Sequence, residues 1–174
     1  ARLERFLGPE KIEHLQRKFA KNTAEFRRDH LQGTAASRES LRIKRSVDRS
    51  EMFYGRLDEA QLAVIRQVVV ESPFDPHLSL KERERRQRDL TEVLTQLSSA
   101  RASTATSQHA LRLLLQRVWE SPDPAARAYA QRSVAQACQA LARIHASTTT
   151  AQRANAVKVL KGYEADLRAL AAAR

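Results

Sequence analysis

Apolar residues recur at spacings of three and four along most of the chain, which is the period of an amphipathic α-helix. The first such stripe follows Pro9, a residue favoured in the first turn of a helix. Glycine occurs only 4 times in 174 residues, whereas sandwiches and barrels need turn residues about every 8 to 12 positions. We therefore predict an all-α fold, an antiparallel bundle of about six or seven helices, formed by residues 1–174 as a single domain.

Capping residues and prolines predict where these helices begin and end. A capping box pairs a side chain at the N-cap with a Gln or Glu three residues later that reaches back to the cap. The predicted boxes are Asp58 with Gln61, Ser79 with Glu82, and Thr149 with Gln152. Asp123 followed by Pro124 predicts another helix start, and Gly55 predicts the end of a helix that begins at Ser37. Residues 98–107 are rich in Ser, Thr and Ala and indicate a loop or a frayed turn. Leu3, Phe6 and Leu7 indicate a short element before Pro9.

The segments around two of these boxes share a pattern. Leu57–Gln61 and Thr148–Gln152 both have the order cap, any residue, Ala, Gln, and they diverge beyond it. The shared order alone does not establish an internal repeat, because capping physics favours the same residue types.

The apolar stripes of the last two predicted helices should face the core. Their members are Tyr129, Val134, Ala137, Leu141 and Ile144, followed by Val157, Leu160, Tyr163, Leu167 and Leu170. In an earlier stripe, Arg83 and Gln87 interrupt a series of leucines. These two residues indicate a polar groove or a partly wet core, although a long arginine can also bury its stem and keep its charge in water.

The chain has 31 Lys and Arg against 20 Asp and Glu, a formal net charge of +11, which favours anionic partners without identifying them. Five arginines fall in one narrow sector at about 100° per residue, and we call them the arginine ridge. They are Arg38, Arg42, Arg45, Arg49 and Arg56. Guanidinium groups bind carboxylates and phosphates in bidentate fashion, so the ridge is the candidate site for an anionic partner. The alternative is a solvated helix face paired locally with Glu39, Asp48 and Glu51.

Catalytic and metal-binding patterns are missing from the sequence. The five histidines have no zinc-ligand spacing, no Gly-x-Ser-x-Gly turn occurs, and four dispersed glycines form no phosphate-binding loop. The single cysteine, Cys138, should be a buried, inert thiol. We therefore predict no catalytic residue, cofactor or metal, and a protein that is not an enzyme. An enzyme would have to assemble distant residues, for instance Asp29, His30 and Asp166.

Several stretches together resemble an uncharacterised family of proteobacterial lipoproteins. These stretches are Lys21–Asp29, Tyr54–Gln61, Ser72–Asp75, Ser147–Arg153 and Gly162–Arg168. The resemblance implies an exported periplasmic protein that is anchored by a lipidated cysteine upstream of residue 1, and it implies no activity. It also departs from the family at Thr150, where proline is expected, and at Ala146, where asparagine is expected. The boxes at Gln61 and Gln152 are also similar to the Leu-Thr-x-x-Gln signatures of small periplasmic helical chaperones.

These observations predict a non-enzymatic cell-envelope lipoprotein that binds another envelope protein or an unfolded polypeptide through its basic helical face. An anionic lipid surface is a possible further partner through the upstream anchor. The alternative is a nucleic-acid-binding helical module, which the sparse aromatic residues, 5% of the chain, make less favourable.

Overall fold

The computed structural model describes residues 8–99 and 103–173. Within these ranges, seven helices contain 86% of the residues, and no strand is present. The prediction of an all-α helical bundle is confirmed. The helices are α1 (Pro9–His30), α2 (Ala35–Tyr54), α3 (Glu59–Val70), α4 (Pro76–Ser99), α5 (Thr104–Trp119), α6 (Pro124–Ala146) and α7 (Thr150–Ala172). The predicted element at Leu3, Phe6 and Leu7 lies outside the described residues.

Three of the seven described helices, α3, α6 and α7, begin at caps that the sequence predicts. The predicted start of α2 at Ser37 is wrong, because Thr34 caps this helix and it begins at Ala35. The side chains of Asp58 and Thr149 accept the backbone N–H groups of Gln61 and Gln152, and both reciprocal capping boxes are complete. Asp123 caps α6 by accepting the N–H of Ala125 at 2.9 Å. At the end of α2, Gly55 adopts φ +76°, a conformation that side chains with a Cβ rarely adopt.

The predicted box at Ser79 is wrong, because α4 begins one turn earlier. Asp75 accepts the backbone N–H groups of His77 at 2.8 Å and Leu78 at 3.0 Å, so Asp75 caps the helix and Pro76 occupies its first turn. The predicted loop at 98–107 is also too long. Within the described residues, α4 continues to Ser99 and α5 begins at Thr104 behind its cap, Ser103.

The chain divides into two compact units. The first contains the chain up to Gly33 together with Phe74–Arg132, and the second contains Thr34–Pro73 and the chain from Ser133 onward. The first turns of α6 therefore belong to the first unit and the rest of α6 to the second.

In the first unit, α4 packs against both α1 and α5. Its core is the cluster of Val93, Leu97 and Leu114, with Leu90, Ala110 and Leu111 packed around them. The start of α6 joins this unit through Tyr129. The phenolic oxygen of Tyr129 accepts the backbone N–H of Asp75 at 3.1 Å and lies 2.9 Å from the hydroxyl oxygen of Ser79.

In the second unit, α2 packs against both α3 and α7. Its core is formed by Leu57, Ile65 and Val69, and Ile65 is fully buried. The partly buried side chains around this core are Ile43, Val47, Tyr54, Leu62 and Ile144. At the end of α3, Glu71 accepts a hydrogen bond from Arg143, and this contact lowers the pKa of the Glu71 carboxyl.

Candidate binding surfaces

The members of the arginine ridge differ in their exposure and in their contacts. Arg38, Arg42, Arg45 and Arg49 all lie on α2, as predicted, and Arg45 and Arg49 are exposed. Arg42 is half-buried and donates to the backbone carbonyl of Val69 at 2.8 Å. That carbonyl lies in the last turn of α3 and also accepts the backbone N–H of Ser72 at 3.3 Å, so Arg42 supplies a second donor that helps to complete the end of the helix.

Arg56 does not extend the ridge along α2. The helix ends at Tyr54 and Gly55 turns the backbone, so the spacing of 100° per residue no longer applies at Arg56. The side chain of Arg56 is exposed, and its backbone carbonyl accepts a hydrogen bond from Gln152 at 2.9 Å.

Met52 connects the exposed part of the ridge to α7. Met52 lies three residues after Arg49 and seven residues after Arg45, so the three residues share one side of α2. The exposed sulfur of Met52 lies 3.8 Å from the hydroxyl oxygen of Tyr163, and the ring of Phe53 meets the ring of Tyr163 edge-on at 6.4 Å. The side of α2 that carries Arg45 and Arg49 is therefore continuous with the face of α7 that carries Tyr163.

The apolar stripe of α7 is exposed, which contradicts the prediction that it faces the core. Its five large residues, Val157, Leu160, Tyr163, Leu167 and Leu170, are all exposed. Every described residue from 160 to 173 is exposed as well. Periodicity predicted the helix and its stripe correctly, but it carries no information about whether another element covers the stripe.

The part of α6 in the second unit shows the same departure. Val134 and Leu141 are exposed, and only Ile144 of the predicted stripe in this part packs against the core cluster. Cys138 is exposed as well, so the prediction of a buried thiol is wrong. The alanine-rich sequence around Cys138 indicated a helix but did not indicate which of its sides faces solvent.

The two glutamines of the capping boxes form a reciprocal contact in the second unit. We call Gln61 and Gln152 the amide pair. Their side-chain amides bond to each other, with N–O distances of 2.7 and 3.1 Å. Each Nε2 also donates, at 2.9 Å, to the carbonyl five residues before the other glutamine, which is Ser147 for Gln61 and Arg56 for Gln152.

The two similar segments form the same pattern of hydrogen bonds around the amide pair. Each Oε1 additionally accepts the backbone N–H of its own cap, from Asp58 at 3.0 Å and from Thr149 at 2.9 Å. Gln61 and Gln152 therefore make the same set of bonds, one from each of the two similar segments. The short sequence pattern could not establish this relation, because the bonds join residues 91 positions apart.

In the first unit, a charged cluster centres on Glu82 and Arg85. Arg85 donates to both carboxylate oxygens of Glu82 at 2.8 and 2.7 Å, and it also reaches Asp89 at 2.7 Å and the carbonyl of Arg117 at 2.9 Å. Glu82 accepts further bonds from Arg86 at 2.9 Å and Ser121 at 3.0 Å. The side chains of Glu82 and Arg85 are each only 15% exposed.

Hydrogen bonds from Arg85, and then those from Arg86 and Ser121, outweigh partial burial and hold the pKa of Glu82 at about 2, below its ordinary 4.5. The spacing of four residues between Glu82 and Arg86 is that of a stabilising ion pair on one face of a helix. It gave no signal for the contact with Ser121. On the same helix, Glu84 accepts a hydrogen bond from Arg27 of α1 at 2.7 Å.

The residues suggested for an enzyme lie in different units. Asp29 and His30 end α1 in the first unit, where the His30 ring packs against Phe26 at 4.6 Å and Phe74 at 5.2 Å. Asp166 is exposed on α7 in the second unit.

In the described ranges, no group of three or more His, Cys, Asp or Glu side chains is close enough to hold a metal ion. No helix in those ranges is long and apolar enough to span a membrane.

Comparison with known proteins gives no relative from which a role could be taken. No family model, curated protein or solved structure matches this chain.

Proposed function

We propose that this chain is a non-enzymatic binding module that holds a segment of another protein, or of an unfolded polypeptide, on the surface formed by α2 and α7. The observation that carries the proposal is the exposed apolar stripe of α7, which meets the exposed arginines of α2 through the contact of Met52 with Tyr163.

Two kinds of interaction would act together on this surface. Burial of large apolar side chains such as Leu160 and Leu167 supplies most of the free energy of association, because each fully buried side chain of this size contributes about 1.5–3 kcal/mol. The guanidinium groups of Arg45 and Arg49 would select partners that place carboxylates beside their apolar residues. A suitable partner segment is therefore apolar and acidic.

The cell-envelope location and the upstream lipid anchor are part of the same proposal. Their support is the resemblance to proteobacterial lipoproteins, and the similarity of the boxes at Gln61 and Gln152 to those of periplasmic chaperones supports the unfolded polypeptide as a partner. The test is to express the full gene with radioactive palmitate and to fractionate the cells. A labelled protein in the envelope fraction supports the location, and an unlabelled protein in the cytosol contradicts it.

Binding is tested by placing a photo-crosslinking amino acid at Tyr163 in living cells and by measuring suppression of aggregation of a reduced, unfolding acidic protein. Leu160→Ser combined with Leu167→Ser should abolish both signals. Arg45→Glu combined with Arg49→Glu should weaken them, most strongly for acidic partners. The matched controls are Leu113→Ser and Arg112→Glu, which change exposed residues of α5 in the first unit. Equal signals from all these variants would contradict the proposed surface.

The same proteins distinguish polypeptide binding from nucleic-acid binding. Nucleic-acid affinity should fall steeply with salt, because each neutralised phosphate releases counterions. It should also depend on the arginines and not on the apolar stripe. Affinity for DNA or RNA that survives Leu160→Ser with Leu167→Ser, with no crosslink to protein, would favour the nucleic-acid alternative.

A further inference from the structure

A cleft of about 810 Å³ opens in the first unit, away from the surface considered above. Its walls come from α1, α4, α5 and the start of α6. A cleft of this size is within the usual range of small-molecule sites, about 300–1,000 Å³.

Most of the wall is apolar and aromatic. The apolar side chains that line it include Phe19, Phe26, Leu90, Leu114, Val118 and Trp119. The indole of Trp119 is 87% exposed although it borders this cleft. An apolar chain bound in the cleft would remove these side chains from water, which stabilises the complex by roughly 25 cal/mol per Å² of apolar surface buried.

Arg83 supplies a cationic group within these walls. Its guanidinium carbon lies 4.9 Å from the centre of the Phe26 ring, over the face of the ring. A cation–π contact uses no hydrogen-bond acceptor, so the N–H donors of the guanidinium can bind a carboxylate or phosphate. Among the residues that the structure describes, Arg83 forms no ion pair, and Gln87, one turn further along α4, offers a second polar group to the cleft.

The acidic residue beside Arg83 does not cancel this charge. Glu82 also lines the cleft, but its carboxylate oxygens are occupied by Arg85, Arg86 and Ser121. Arg86, Arg127 and Glu120 line the cleft as well, so the lining holds three positively charged and two negatively charged side chains. An anionic headgroup is therefore favoured at Arg83 over a cationic one.

We propose that this cleft binds a small amphiphile that has a linear apolar chain and one anionic headgroup, with the headgroup at Arg83. In the sequence, Arg83 and Gln87 interrupt the leucine stripe of α4, and this interruption indicates a polar groove. The site is independent of the surface on α2 and α7.

The test uses the fluorescence of Trp119, the single tryptophan of the chain. Decanoate and decyl phosphate, below their micelle-forming concentrations, should shift its emission to shorter wavelength in a saturable manner. Decanol should bind at least about tenfold more weakly, because it lacks the charge that Arg83 pairs. The two anions distinguish a carboxylate from a phosphate headgroup.

Variants locate the headgroup. Arg83→Gln should weaken the binding of the better anion about tenfold or more, which corresponds to the loss of one charge-assisted hydrogen bond. The affinity of Arg83→Lys should lie between those of the wild type and Arg83→Gln, because lysine keeps the charge and loses the planar donor edge. Arg112→Gln, an equal loss of charge on an exposed residue of α5 outside the cleft, should leave the affinity unchanged.

A variant that fills the cleft keeps the proposal testable if Arg83→Gln fails to fold. Ala130 is exposed and lines the cleft, so Ala130→Phe should block binding without a change in helical circular dichroism. No saturable shift with either anion would overturn the proposal. Equal affinity of the wild type, Arg83→Gln and Ala130→Phe for the same anion would overturn it too.

Discussion

The two units hold their helix ends together with opposite chemistry. In the first unit a charged cluster of Glu82, Arg85 and Asp89 joins α4 to the end of α5 and to the turn before α6. In the second unit the neutral amide pair joins the turn after α2 to the turn after α6. Both arrangements satisfy backbone carbonyls at helix ends, but only the first depends on ionised side chains.

Because of this difference, the contacts that join helix ends in the two units should respond differently to pH. An amide bond network has no proton to gain near neutral pH, and its strength depends on geometry and burial. A carboxylate that is stabilised by guanidinium groups loses its partners once it is protonated. The amide pair should therefore be insensitive to pH over the range in which the charged cluster of Glu82 weakens.

The largest expected effect tests whether the apolar core, and not the amide pair, supplies most of the stability of the second unit. Ile65→Ala removes a fully buried side chain from the cluster with Leu57 and Val69. We expect a loss of about 3–4 kcal/mol in the free energy of unfolding, from lost transfer energy and the cavity left behind. Urea denaturation measures it, and hydrogen exchange shows whether the amides of α3 lose protection. A loss below that of the amide-pair variants would reverse the ranking.

Removal of one glutamine should have the next largest effect. Gln61→Ala leaves the carbonyl of Ser147, the N–H of Asp58 and the side chain of Gln152 without their partner, which should cost about 2–3 kcal/mol. If the two halves are equivalent, Gln152→Ala should cost a similar amount. The double variant should cost clearly less than the sum of the two, because residues in one network couple by about 0.5–3 kcal/mol. Strict additivity would contradict the reciprocal contact.

Acid should weaken the charged cluster of the first unit and leave the amide pair of the second unit unchanged. The pKa of Glu82 is about 2 in the folded chain against an ordinary 4.5. A depressed pKa contributes stability that is fully present above pH 4.5 and is lost as the pH falls toward 2. We expect about 1–2 kcal/mol, less than the full shift implies, because the cluster is partly exposed to solvent.

Glu82→Gln is the control for this pH dependence. It should lower stability at neutral pH and flatten the loss between pH 4.5 and 2, as followed by hydrogen exchange in α4. Gln61→Ala should leave that slope unchanged. An equal acid response of α3 and α4 would remove the distinction between the two units.

The smallest expected change in stability sharpens the contrast within the second unit. Leu167 is 66% exposed, so Leu167→Ser should alter the free energy of unfolding by no more than about 0.5 kcal/mol. The proposed binding of polypeptides should nevertheless weaken. Thermal denaturation measures the first quantity and the crosslinking yield at Tyr163 measures the second. A large loss of stability would mean that the stripe of α7 is a covered core face.

Local sequence signals predicted the fold well because they are decided within a few residues. Asp58, Thr149 and Asp123 cap their helices as expected, and Gly55 ends α2. The box at Ser79 failed because Asp75 with Pro76 offered an earlier start, and the helix extends to the first residue that can cap it. The candidate site was predicted only in part. Arg42 helps to complete the end of α3, and Arg56 lies beyond the helix.

The sequence by itself determined the helical class, most helix starts and the positions of the apolar stripes, because caps and periodicity act over one or two turns. Only the tertiary structure decided that Ile65 is buried while Leu160 and Leu167 are exposed, since burial depends on which helix covers a stripe. It also decided the bonds between Gln61 and Gln152 and the position of Arg83 over Phe26. Those contacts join residues far apart in the chain, and no local pattern encodes their distance.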